Sequence, residues 1–133
     1  HRDLFQEQIE QLGRVLGVPL AQLLGTVTPK ELKDVIKAAQ TSLLQEHHFD
    51  IVRLIQLENN QLNGYLDQAK FQLASYLALA KFLGEIGVKL ENNHPDKQLY
   101  LNKAVVLLDL IDSKTKTVSF ERIALKKRFK KYL

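Results

Sequence analysis

The chain has 133 residues, 45% of them apolar and 26% charged, with a formal charge of +4. That is the composition of one globular domain able to bury a core without disulfide or metal support, and it excludes disordered and collagen-like classes. The absence of cysteine excludes disulfides, thiolate zinc sites and a cysteine nucleophile, and leaves the redox compartment undecided. Methionine is also absent, even at position 1, so the chain is expected to be a piece of a longer protein or a trimmed product, with His1 an added remnant. No apolar run reaches the roughly 18 residues that a membrane span requires. Charge is unevenly placed. Residues 114–133 carry eight Lys and Arg against Glu121, a net +7 within a total of +4, so residues 1–113 sum to −3.

In chain order, Asp3 to Leu16 reads as a first helix with Leu4, Phe5, Ile9, Leu12, Val15 and Leu16 on its apolar side, capped by Asp3 and ended by Gly17. Pro19 to Leu24 supports one or two further turns, with Pro19 at their first position. Thr28-Pro29-Lys30-Glu31 is a capping-box signature with proline at N1 and predicts a helix start. That helix would bury Leu32, Val35, Ile36, Ala39 and Leu43. Eight residues separate Leu43 from Ile51, and at ~100° each they rotate the apolar stripe by ~80°, so a turn is expected near Glu46–Phe49. A third helix follows from about Phe49 to Glu58, and Asn59, Asn60, Asn63 and Gly64 then cluster as turn formers before, or just inside, the next helix.

From Gln61 to Gly87 the helical period shows two apolar stripes. Leu62, Leu66, Ala69, Leu73, Tyr76, Ala80 and Leu83 form one, and Phe71, Ala74, Ala78, Phe82 and Ile86 form the other. A helix apolar on two sides packs on both, so this segment is expected to be one long central helix, weakened at its end by Gly84 and Gly87. Residues 87–95 read as the longest loop, Pro95 as the opening of a helix to about Asp112, and 113–117 as a polar linker. A basic last helix over 118–131 closes the chain, capped by Thr117 or Ser119. No segment alternates long enough to be a strand.

Phe49-Asp50-Ile51-Val52-Arg53-Leu54-Ile55-Gln56-Leu57 and Leu101-Asn102-Lys103-Ala104-Val105-Val106-Leu107-Leu108-Asp109 share one apolar and polar pattern, and each follows a helix rich in Ala and Leu. Over roughly residues 30–112 this resembles the tetratricopeptide-repeat family, with Ala39, Phe49 and Ala104 at positions like its small and aromatic core sites. The matched segments lie 52 residues apart where the family repeat has ~34, and the Trp-Leu-Gly opening is missing. The expected fold class is therefore all-α, either a stack of antiparallel helical hairpins or an irregular bundle of about six helices. The resemblance implies a fold that binds other polypeptides.

Candidate chemistry is sparse. His47, His48 and Asp50 are metal-ligating types, but adjacent histidines point apart and a capping role explains them better. Glu7 with Glu10, and Asp109 with Asp112, are spaced to share a helix side, which a solvated polar face accounts for. No nucleophile elbow or phosphate loop occurs, so no enzyme, cofactor or metal is expected.

The last helix offers more. Val118, Leu125, Phe129, Tyr132 and Leu133 gather on one side, and Phe120, Ile123 and Ala124 on nearly the opposite one, with cations between. One side would close the stack while long cations snorkel around the other, and the remaining apolar side would contact a partner, a second copy or the rest of the chain. The expected anchors on the outer side are Leu125, Phe129 and Tyr132, flanked by Lys126, Arg128 and Lys130. Nucleic acid is the rival partner, through the basic tail. The stretch Leu12–Gly25 resembles the first part of a helix-turn-helix, but the helix after it opens Pro29-Lys30-Glu31-Leu32-Lys33-Asp34, little suited to reading bases.

Overall fold

In a computed structural model of the chain, residues 15–25 and 27–133 are described. The first expected helix, up to residue 14, lies outside them. Those residues form seven helices and no strand: α1 over 15–24, α2 Pro29–His47, α3 Ile51–Gln56, α4 Asn59–Gln68, α5 Leu73–Lys89, α6 Lys97–Thr115 and α7 Phe120–Lys131. The all-α class is as expected. Gly17 does not end a helix, however, since α1 runs through it and through Pro19.

The start of α2 follows the capping-box reading. Thr28 Oγ1 accepts the Glu31 N–H at 3.2 Å, and Glu31 Oε1 accepts the Thr28 N–H at 3.4 Å, with Pro29 where no amide is needed. The expected turn falls at His48, which takes a left-handed φ of 52° and sends its N–H to Leu44 O. Asp50 caps α3, its Oδ1 accepting from Val52 N at 3.0 Å. Its backbone is also held from α4, because the Tyr65 hydroxyl accepts the Asp50 N–H at 3.0 Å and faces Asp50 O at 3.3 Å.

The long central helix is in fact two. α4 stops in a Schellman motif: the Lys70 N–H returns to Asp67 O and the Phe71 N–H to Leu66 O, with Lys70 at φ 57°. The left-handed residue drops Phe71 into the interior, where its ring lies 4.9 Å from that of Phe49. His48–Phe49 and Lys70–Phe71 are thus the same device, a left-handed polar residue followed by a buried phenylalanine. The two rings meet, with Tyr65 and Tyr76 extending the aromatic row.

What remains as α5 is enclosed over its second half, where every residue from Phe82 to Gly87 is buried, but Leu73 and Ala74 of the two stripes are exposed at its first turn, which packs on one side only. α5 and α6, joined by residues 90–96, form a hairpin, α7 lies on both, α2 touches α5, and α3 and α4 rest on α6. Gly84 and Gly87 do not end α5, which continues to Lys89. They are close-approach points. A Cβ on Gly87 would sit 2.6 Å from Leu101 Cγ of α6, and one on Gly84 2.1 Å from Phe129 Cζ of α7.

Pro95 stands in the turn before α6, which starts at Lys97 after Asp96. In that turn His94 Nδ1 accepts the Asp96 N–H at 3.0 Å. α6 extends through most of the expected linker to Thr115, and Lys116 at φ 52° turns the chain toward α7. The Lys97 ammonium is buried against the end of α5 and donates to Gly87 O and Leu90 O, each at 2.7 Å. It neutralises carbonyls that the helix end leaves unpaired. Burial pushes its pKa down.

Candidate functional site

α7 begins at Phe120, two residues later than expected, because Ser119 caps it by accepting the Arg122 N–H at 3.1 Å. Its inward side is fixed by shape and by charge. Phe129 is 0% exposed and its ring occupies the space that Gly84 leaves on α5. Leu125 and Tyr132 are half-buried against the same core, and Lys97 Nζ lies 5.6 Å from the centre of the Tyr132 ring, within cation–π range.

Three carboxylates face α7. Arg128 meets the buried Glu85 of α5 in a two-pronged bond, Nε to Oε1 and a terminal nitrogen to Oε2, both at 3.0 Å. Lys126 Nζ lies 2.5 Å from Asp112 and 2.8 Å from Asp109, and Arg122 Nε lies 2.5 Å from Asp112. Hydrogen bonds from Lys126 and then Arg122 hold the Asp112 carboxyl below its usual range. Accepting hydrogen bonds from Lys126, Asp109 and then Asp112 raise the pKa of Lys126, and Glu85, accepting from Arg128, raises that of Arg128. Asp109 and Asp112 therefore form the receiving half of a clasp between α6 and α7; Asp109 keeps the solvent exposure expected of it, while Asp112 is largely covered.

The expected partner-binding set is corrected by this geometry. Phe129 is core, Leu125 and Tyr132 lean on the core, and Lys126 and Arg128 are engaged by carboxylates within the fold; Lys130 alone of the six stands on the exposed side with no described contact inward. The outward apolar residues are those of the other stripe. Phe120 is 91% exposed and Ile123 49%, with Ala124 exposed in the next turn and Val118 67% exposed just before the helix. Lys127, Lys130 and Lys131 continue the same strip toward the C-terminus, since residues three, four and seven apart share a helix side.

Two other places hold groups that chemistry uses. A groove of about 690 Å³ lies between α2 and the α5–α6 connection, lined by Leu32, Ile36, Leu90 and Tyr100 with Lys33, Lys37, Lys89, Glu91 and Asp96. Burial, and then Asp96 beside it, push the Tyr100 hydroxyl up to about 12, so it stays neutral and is no base at ordinary pH. The mixed charges of the lining favour no one ligand class. At the other place His48 is exposed and Asp50 is spent on amides, and no group of three metal-ligating side chains occurs among the described residues.

Set against known proteins, no family model matches this chain, and no curated protein and no solved structure matches it.

Proposed function

We propose that this chain is a non-catalytic protein-interaction or assembly module of a larger protein, and that it works through the outward face of α7. One observation carries the reading: a phenylalanine 91% exposed at the start of a well-capped helix, with Ile123 and Val118 beside it. Scattered apolar residues are normal on a surface, but a cluster containing a large aromatic ring is the usual composition of a binding anchor. The resemblance to tetratricopeptide-repeat hairpins belongs to the same proposal; its two matched segments fall on α3 and α6, which touch.

A photo-crosslinking amino acid at position 120, introduced into the chain in its native host, tests the reading. A discrete protein adduct is expected at position 120 and not at position 44, where Leu44 is also exposed, and Ile123→Asp should abolish it. Equal labelling from both positions, or none from position 120, contradicts the proposal.

The second reading, binding of nucleic acid, rests on Lys114, Lys116, Lys127, Lys130 and Lys131, all exposed after the clasp has absorbed the other three cations of the tail. Such binding would weaken steeply with salt. Titration with duplex DNA and with RNA at low ionic strength decides it, since no retention removes this reading.

A further inference from the structure

The outward strip of α7 has two zones. Phe120, Ile123 and Ala124 make an apolar end, and Lys127, Lys130 and Lys131 a cationic end, about 16 Å apart at their extremes by a rise of ~1.5 Å per residue. Acids near α7 are already committed: Asp109 and Asp112 to Lys126 and Arg122, Glu85 to Arg128, and Glu121 to Lys81 at 2.9 Å. Among the described residues no ion pair involves Lys127, Lys130 or Lys131. The strip thus joins a greasy end to a positive end that the fold does not compensate.

Three occupants can be compared on that pattern. A second copy seated by two-fold symmetry sets the same strip against itself, either lysine against lysine, which repel, or Phe120 against lysine, a cation–π contact that still leaves the lysine charges of both copies without carboxylates. Nucleic acid satisfies the lysines and leaves Phe120 and Ile123 in water. A polypeptide segment with apolar residues at one end and carboxylates two to three turns away satisfies both zones at once.

Resting on the protein-interaction reading, we infer that the partner presents an acidic polypeptide segment, its apolar end on Phe120 and Ile123 and its carboxylates on Lys127, Lys130 and Lys131. Selection of a displayed library of random 16-residue peptides on the immobilised full chain tests this, with the Phe120→Asp/Ile123→Asp chain as counter-target and circular dichroism to confirm that both are folded. Expected is enrichment of peptides with Asp or Glu at one end and Leu, Phe or Ile at the other, binding at least tenfold more weakly to the counter-target. Lys127→Glu/Lys130→Glu/Lys131→Glu should invert the charge preference of the selected set. Peptides that depend on Phe120 but are neutral or basic would overturn the acidic partner and leave the interaction reading standing. Peptides indifferent to the double substitution, or no enrichment, would overturn both.

Discussion

The two sides of α7 are built from the same kinds of residue and meet opposite fates. Inward lie Leu125, Phe129 and Tyr132 with Arg122 and Lys126; outward lie Phe120, Ile123 and Ala124 with Lys127, Lys130 and Lys131. Nothing in the helix itself prefers one side. The choice is made by α5 and α6, which offer a missing side chain at Gly84 under one phenylalanine and carboxylates at Glu85, Asp109 and Asp112 opposite one set of cations. When a helix is apolar on two sides, complementarity in the receiving surface assigns the inside, and the side left over is the one available to a partner.

Substitutions can break that contrast, beginning with its strongest contact. Phe129→Ala should cost about 3–5 kcal/mol of stability in urea denaturation, because it empties a fully enclosed ring site. Gly84→Ala attacks the same contact from the other side. The added methyl would meet a ring with no room to retreat, and a loss of about 1–3 kcal/mol is expected despite alanine's better helix propensity. A net gain in stability would mean that α7 is not seated there.

The clasp has a pH signature. Because the Asp112 pKa is held below its unfolded value, its stabilising contribution is complete above the ordinary carboxylate range, near ~4, and is lost as pH falls through the folded value. Asp112→Asn should therefore be less stable than the parent at pH 7, with the difference shrinking toward pH 2. A gap of constant size across that range would show that the carboxylate charge is not what holds α7. Smaller still is the effect of Lys70→Gly, which relieves a left-handed lysine and should raise stability by about 0.5–1 kcal/mol. Phe120→Ala should leave stability within about 0.5 kcal/mol of the parent, as an exposed site allows.

How far these features could be read in the sequence depends on whether their cause is local. The Thr28 capping box and the turn at His48 were legible, since neighbouring residues write the first and a slip of helical phase the second. Most core positions of α6 and of the second half of α5 were legible too, because periodicity reports burial, whereas Leu73 and Ala74 fit the stripes and are exposed. The stop at Lys70 was not: no glycine or proline marks it, and its reason is the distant ring of Phe49, which Phe71 must reach. Gly84 and Gly87 look like helix breakers until Phe129 and Leu101 lie on them. Their three-residue spacing within an apolar helix was the available hint, and the three- and four-residue spacings of Asp109–Asp112 and Arg122–Lys126 were a second one. Buried Lys97 left no trace, because its partners are backbone carbonyls.

Hydroxyl-radical footprinting read residue by residue by mass spectrometry tests the orientation of α7 most directly. Phe120 should be oxidised at nearly the rate of an unfolded peptide while Phe129 stays protected until the chain unfolds. Protection of Phe120 in the isolated chain together with ready oxidation of Phe129 would mean that the helix is turned the other way, and the partner-binding face with it.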